Sequence, residues 1–271
     1  MYLISCTLVF LAAYMLNITT ITVGYHRGLA HGALQLHPRL RQVFIVAGNW
    51  LTGLDPKAWV VMHRRHHAFS DTPDDPHSPR NVGLLGIAME QLRSYQRVIR
   101  GLKRKDPKYV QYAHDLDFEL SWLNRSGRWY LPYVLHAAVG LSLGFGAHLW
   151  LLAAAYFFGM MSHPVQGGLV NAFGHAVGGR NFETPDDSRN NHPVAWLVMG
   201  EGFQNNHHRY PASAKFSYTA WEVDPGFGIA KLMQAMGLLR ISSATMIPAP
   251  GAAQELASGV EATGDPTPLP H

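Results

Sequence analysis

Cysteine is almost missing from this 271-residue chain: Cys6 stands alone, which excludes an internal disulfide and any thiolate-built metal cluster. Charge is sparse too, Asp, Glu, Lys and Arg together supplying 15% of the residues. A formal net charge of +4 and a pI near 9.2 point towards nucleic acid only at first sight. The basic residues are not interleaved with stacking aromatics, so no nucleic-acid partner is expected. They stand beside apolar spans, where Lys and Arg flank membrane segments. There is no internal repeat, and no haem, flavin or iron–sulfur motif. The mean hydropathy of -0.04 suits a soluble protein, yet the apolar residues are bunched rather than spread.

What the chain has in excess is histidine, 16 in all. The densest group is His63-Arg64-Arg65-His66-His67, followed by a Pro- and Asp-rich stretch to His77. Positions i, i+3 and i+4 share one face of a helix, so three imidazoles converge there. Neutral imidazole is the commonest metal-binding side chain and suits iron, copper and zinc. Upstream, His26 and His31 lie about 140° apart on a regular helix and share a ligand set only where it is kinked or frayed. Gly24 and Gly28 make such a distortion expected. Downstream come His175, four residues after Asn171, and the pair His207-His208. These eight histidines are too many for one tetrahedral zinc and suit two metals with open positions; without cysteine, non-haem iron is favoured. Asp71, Asp74, Asp75 and Glu201 are candidates to hold imidazole N–H groups, with turn-making or capping as the other role for each. His77, in a proline-punctuated turn, reads as a loop-structuring residue. His37, His114, His136, His148, His163 and His192 have no partners at ligand spacing and read as structural or solvent-facing.

Residues Tyr2 to Val23 carry no charge and are long enough to cross a bilayer. Without a basic n-region or a small-residue cleavage site they read as a retained membrane helix, not a secretory signal. Leu40 to Leu54 is too short for a crossing and suits an interfacial or re-entrant helix. Leu84 to Lys108 is amphipathic and ends in a basic cluster, Arg97, Arg100, Lys103, Arg104, Lys105 and Lys108, which is either a solvated face or a contact with anionic lipid. Trp129 to Phe145 and Ala147 to Val170 form a second apolar block broken at Gly144-Phe145-Gly146, the pattern of a transmembrane hairpin. Two crossings return the chain to the face it left, and the Lys and Arg bias makes that face cytoplasmic. The expected fold is an all-α integral membrane protein of about three transmembrane helices, one N-terminal plus the hairpin, with a cytoplasmic helical cap carrying the histidine clusters. Ile229 to Arg240 reads as a last amphipathic helix. Residues 1–242 form the domain, and 243–271, rich in Ala, Pro, Gly and Ser, a disordered tail.

Four stretches now combine. HRGLAH (His26 to His31), HRRHHAFSDTPDDPHS (His63 to Ser78), NAFGH (Asn171 to His175) and GEGFQNNHHRYP (Gly200 to Pro211) resemble the histidine boxes of membrane fatty acid desaturases. Their order, spacing and intervening hairpin are similar to those of the delta-9 type, stearoyl-CoA desaturase included. The resemblance implies two iron ions that activate O2, and a cis double bond, at delta-9 by expectation, placed in an acyl-lipid or acyl-CoA chain. By position it assigns His26, His31, His63, His66, His67, His175, His207 and His208 as metal ligands, and Asn171 as a residue reaching a metal through water. Arg27, Arg64, Arg65 and Arg209 receive no such role. Gln204 stands where the delta-9 pattern has a histidine, and its amide oxygen is a poorer iron ligand. Val61-Met62 replace an Arg-Asp pair that grips CoA, which leans the reading towards an acyl-lipid. The family's extra membrane helix ahead of the first box is not in this sequence, so the start lies upstream or the fold is trimmed. Two electrons per turnover must come from an external donor, a ferredoxin-like or b-type cytochrome partner on the cytoplasmic face. An apolar tunnel between the N-terminal helix and the hairpin, closed near Tyr14, would hold the acyl chain. The competing readings are a histidine-box lipid or alkane hydroxylase and a non-catalytic membrane metal-binding protein.

Overall fold

The N-terminal helix, α1 (Tyr2–Thr19), passes without interruption into a π-helical segment, Thr20–Ala30. A computed structural model describes residues 1–244 of the chain. In a π-helix the backbone N–H reaches back five residues instead of four. His31 N–H accordingly donates to the His26 carbonyl at 3.1 Å, and the two rings lie 5.0 Å apart. The distortion expected at Gly24 and Gly28 is thus a change of helical register, which turns an i, i+5 spacing into a shared face.

After β1 (Leu34–Leu36) come α2 (Pro38–Thr52), α3 (Pro56–Phe69) and α4 (Pro79–Lys103). Two short helices, α5 (Pro107–Val110) and α6 (Trp122–Arg125), precede α7 (Leu131–Leu141), which is extended by a π-helical turn, Ser142–Gly146. Then follow α8 (Trp150–Met160), α9 (His163–Phe173), α10 (His192–Leu197), α11 (Gln204–Arg209), α12 (Pro225–Ala235) and β2 (Leu239–Ile241). The starts share one device: Asp55-Pro56, Ser78-Pro79, Asp106-Pro107 and Asp224-Pro225 each put a capping oxygen before a proline. The side chain accepts an orphan N–H of the first turn, and proline costs nothing where no hydrogen bond is due.

Three expectations change. The apolar arm from Ala147 to Val170 is two helices, broken at Met161-Ser162, because Pro164 starts α9 afresh. The last helix ends at Ala235, and Leu239–Ile241 is a strand, pairing antiparallel with β1 as Leu34↔Ile241 and Leu36↔Leu239. The amphipathic helix expected from Leu84 to Lys108 begins at Pro79 and stops at Lys103. The proposed tail lies outside the described residues beyond Ala244.

Among the described residues, one helix, Tyr2–Ala30, is long and apolar enough to cross a membrane; Leu131–Gly146 and Trp150–Met160 are shorter apolar helices. Alpha1 packs along α8, and Asn17, fully buried, donates to the carbonyls of Leu51 at 3.1 Å and Met160 at 2.7 Å, joining α1 to α2 and α8. Below that level Tyr25, Trp59, Val61 and Val98 form a core that fixes the π-helical segment against α3 and α4. This core sets the two histidine-bearing segments side by side.

The α1–α8 contact depends on a missing side chain. A Cβ on Gly159 would sit 2.8 Å from both the Phe10 carbonyl oxygen and the Ala13 methyl. Gly159→Leu is expected to cost about 1–3 kcal/mol by overpacking, read as a thermal midpoint several degrees lower in detergent.

Candidate metal centre

Five imidazoles meet at one point. His26 and His31 come from the π-helical segment and its end, His63 and His67 from α3, and His207 from α11. Their inward nitrogens are very close: His26 Nε2 to His207 Nε2 is 2.9 Å, His31 to His63 2.8 Å, His63 to His67 3.1 Å and His67 to His207 2.9 Å. Nitrogens about 2.1 Å from one ion and at right angles to each other would be about 3.0 Å apart, whereas tetrahedral angles would give about 3.4 Å. The observed spacing fits the right-angled arrangement.

A second group adjoins it, with His67 and His208 rings 4.6 Å apart across the boundary. It contains His66 of α3, His175 just beyond α9, and His208 of α11. Each ring is held from outside by a carboxylate on Nδ1: His66 by Asp75 at 3.0 Å, His175 by Asp71 at 2.8 Å and His208 by Asp186 at 2.8 Å. A proton on Nδ1 leaves the Nε2 lone pair free. All three Nε2 atoms are buried without a hydrogen-bond partner. Buried polar atoms are rarely left so, and three converging acceptors are what a metal ion requires.

The electrostatics agree. Burial, reinforced by neighbouring imidazoles, holds His31, His63, His67 and His207 well below the ordinary imidazole range, so these rings are neutral. Burial lowers His208 to about 4 against the pull of Asp186. For His66 burial also acts downwards, but the Asp75 carboxylate outweighs it and its pKa is raised. Burial would raise Asp71, yet its bond to His175 brings it down to about 2. Asp75 and Asp186 are likewise held well below the usual carboxylate range by their histidines, against the opposing effect of burial.

Of the four carboxylates singled out in the sequence, Asp71, Asp75 and Glu201 face imidazoles, Glu201 meeting His26 Nδ1 at 2.5 Å. Asp74 does not: it is exposed, 3.9 Å from Lys108. Asp186 was not foreseen, since it lies 22 positions before His208 in an irregular loop with no periodicity to mark it. Arg27 was also passed over. Its fully buried guanidinium binds Glu201 at 2.7 Å, Asp224 at 3.0 and 3.1 Å and the Ala214 carbonyl at 2.9 Å, and lies 3.8 Å over the Phe216 ring. His77, read as a loop residue, is buried with its ring 4.6 Å from that of His66 and its backbone N–H on Asp75. Gln204 donates its amide N–H to the Glu201 carbonyl at 2.6 Å.

One cavity touches both groups. His26 and His63 of the first and His66 of the second line it, along with Asn171, Gln204 and His77. Its apolar wall comes from Ile18, Ile21, Met62, Val170 and Val198, hence from the N-terminal helix, α3, α9 and the end of α10. The sequence reading had put such a space between the N-terminal helix and the hairpin, and residues of both line it: Ile18 and Ile21 from the first, and His163, Gln166, Gly167 and Val170 from the stretch expected as the hairpin's second arm.

Comparison with known proteins gives a consistent result. The family model described as fatty acid desaturase matches residues 3–221. The chain is 31% identical to hex-5-enoyl-[acyl-carrier protein] acetylenase of Moorena producens, over 87% of this chain and 77% of that one. It is 31% identical to delta-9 acyl-lipid desaturase 1 of Arabidopsis thaliana, covering 84% and 72% of the two chains. With acyl-CoA 5-desaturase AL21 of Anemone leveillei it shares 32%, over 80% and 65%.

Arg27 offers a test of how the first group is held. Arg27→Met strips Glu201 and Asp224 of their buried partner and is expected to cost about 3–5 kcal/mol, seen as a large fall in thermal midpoint. A change within a degree of wild type would show that the guanidinium carries no such role.

Proposed function

The chain belongs to the fatty acid desaturase family, and from that premise we propose that its five- and three-histidine groups hold two iron ions serving O2-dependent insertion of a cis double bond into an acyl chain. The family makes it an enzyme that desaturates fatty acids. The observation that carries the di-iron reading is the trio of buried, unpartnered Nε2 atoms, each fixed by a carboxylate on Nδ1, beside five converging imidazoles. All-nitrogen donors at right-angled spacing favour non-haem iron over tetrahedral zinc. His26, His31, His63, His67 and His207 would hold one ion; His66, His175 and His208 the other, with Asn171 reaching it through water and Gln204 lending its amide oxygen.

When bound, the metals supply the oxidising power for C–H cleavage, which no side chain here can provide. The protein's part is positioning and exclusion of water. Ile18, Ile21, Met62, Val170 and Val198 give an alkyl chain an apolar wall that leads past His26, His63 and His66. Asp71, Asp75, Asp186 and Glu201 keep the imidazole protons on the outer nitrogens.

The expected bond position is delta-9. The carrier is a lipid or CoA, and we favour a lipid: Val61 and Met62 are buried and uncharged, so they offer no grip on CoA. Electrons come from a ferredoxin-like or b-type cytochrome donor. We place α1, α7 and α8 across the bilayer. Exposed Leu3, Ile4 and Leu8 on α1, Leu135 on α7, and Leu151 and Phe158 on α8 support this, since a core helix of a soluble protein would bury them. No Lys or Arg occurs before Arg27 or between Arg128 and Arg180, which supports a cytoplasmic metal centre. The β1–β2 pairing ties residues 239–241 to the N-terminal half, in keeping with one domain over 1–242.

Expression in a host lacking its own desaturase, followed by lipid profiling, tests the function. New cis-monounsaturated chains are expected, delta-9 and on membrane lipid; hydroxylated chains would point to the hydroxylase reading, and no change would refute both. Metal analysis of purified protein should find about two irons per chain. His66→Ala is expected to give an inactive, iron-poor protein that still inserts in membranes. Asp186→Asn should weaken metal binding about 10- to 100-fold at the three-histidine group, leaving about one iron after dialysis. Two irons retained in both variants would refute the ligand assignment.

A further inference from the structure

Two arginines, Arg27 and Arg65, are buried among the described residues, and Arg65 has no anion. It stands on α3 two positions from both His63 and His67, about 200° around the helix from each, so it points away from the five-histidine group. The residue is 5% exposed, and its Nε is buried without a partner. Among the described residues its guanidinium makes no hydrogen bond or ion pair, and its neighbours are two rings. Its Cζ lies 4.8 Å from the centre of the Tyr109 ring and 5.6 Å from that of Phe69. Rings attract the face of a guanidinium and leave the N–H groups at its edge uncommitted. Tyr109 is firmly placed, because its ring packs against Gly101 of α4 so closely that a Cβ there would overlap it.

A buried charge without a counter-ion is costly, and the space beside Arg65 is where one fits. Arg65 lines a cavity of about 230 Å³ between α3, the segment from Pro73 to Ser78, α4 and α5. That space shares no residue with the cavity that passes the histidines, and it has room for several waters. Three carboxylates also line it, and each has a partner of its own. Asp75 is engaged by His66 Nδ1 and by the backbone N–H groups of Asp71 and His77. Glu90 is bound by Arg97. Asp74, exposed, faces Lys108 Nζ at 3.9 Å, beyond hydrogen-bond distance. Two cationic groups on the wall, Arg65 and Lys108, are thus left with no hydrogen bond among the described residues. A carboxylate would offer two oxygens, both taken by the guanidinium fork, whereas a phosphate brings a further oxygen for the ammonium.

We propose that Arg65 and Lys108 bind a phosphate group in this cavity, either free in solution or at the head of a membrane lipid. The site needs neither metal nor acyl chain, so it stands apart from the desaturase reading. One of its walls is the segment whose Asp75 holds His66, which sets a bound phosphate against the frame of the three-histidine group.

The test is the thermal midpoint of the full chain in detergent, titrated with inorganic phosphate at fixed ionic strength. A saturable rise is expected, because a ligand that binds only the folded chain stabilises it. Arg65→Gln and Lys108→Ala should each weaken the apparent affinity about tenfold, the factor for losing one charge-assisted partner. The same chains in phosphatidylcholine nanodiscs identify the source. A rise when phosphatidic acid is included, lost in both variants, assigns the site to a lipid headgroup. A rise with inorganic phosphate alone, lost in the same way, assigns it to a soluble phosphate. No rise in wild type with either probe, or an equal rise in wild type and variants, would overturn the site. If Arg65→Gln fails to accumulate, Lys108→Ala carries the comparison.

Discussion

Everything at the centre of this molecule follows from packing eight imidazoles against one another in its interior. A neutral imidazole has one donor and one acceptor, so a buried ring needs a partner on each nitrogen. On the outer side the fold supplies a carboxylate for four of them, Glu201 for His26, Asp75 for His66, Asp71 for His175 and Asp186 for His208, whereas His207 Nδ1 is buried without a partner. The inner nitrogens are left facing one another. That arrangement is poor as a protein core and good as a donor set, and the carboxylates choose between the tautomers. The two groups also differ in charge. Three carboxylates stand behind three histidines, whereas Glu201 behind the five shares Arg27 with Asp224. The group with fewer nitrogens therefore carries more negative charge, which would compensate a cation for its smaller number of imidazoles.

The helices serve this centre in ways a regular α-helix could not. His26 and His31 point apart at 3.6 residues per turn, but the π-helical segment from Thr20 to Ala30 places them together. Alpha3 does the reverse with ordinary geometry. His63 and His67, four apart, face the first group, while His66 faces the second, so one helix divides its side chains between two sites. Its start is fixed by Asp55, whose Oδ1 accepts the N–H groups of Lys57 and Ala58 while its Oδ2 accepts that of Ser121. One buried carboxylate thus sets both the register of α3 and the path of the chain before α6.

Much of this was legible in the sequence, and the gaps have physical causes. Histidine spacing is a local pattern, so the four clusters could be found and grouped. Carboxylates that act across the fold leave no such pattern: Asp71 and Asp75 were noticed because they adjoin His66 and His67, and Asp186 was missed because its partner is distant in sequence. Arg27 was overlooked for the same reason, since its value comes from Glu201 and Asp224, both more than 170 positions away. Hydropathy could not see the break between α8 and α9, because no charged residue interrupts the run from Ala147 to Val170. Pro164 did mark it, although α9 lacks the capping bond that Asp55, Ser78 and Asp224 make ahead of the prolines of α3, α4 and α12. The strand Leu239–Ile241 is three residues long and exists only because β1 pairs with it.

The cavity beside the two groups is built from the same elements that hold the imidazoles. Its histidine-lined part is fixed by α3, whose register depends on Asp55, and by the π-helical segment. Its apolar wall adds Ile18 and Ile21 from the N-terminal helix and Val170 from α9. The N-terminal helix and α3 therefore each carry histidines and cavity wall on one rigid element, so a shift of either would move both together.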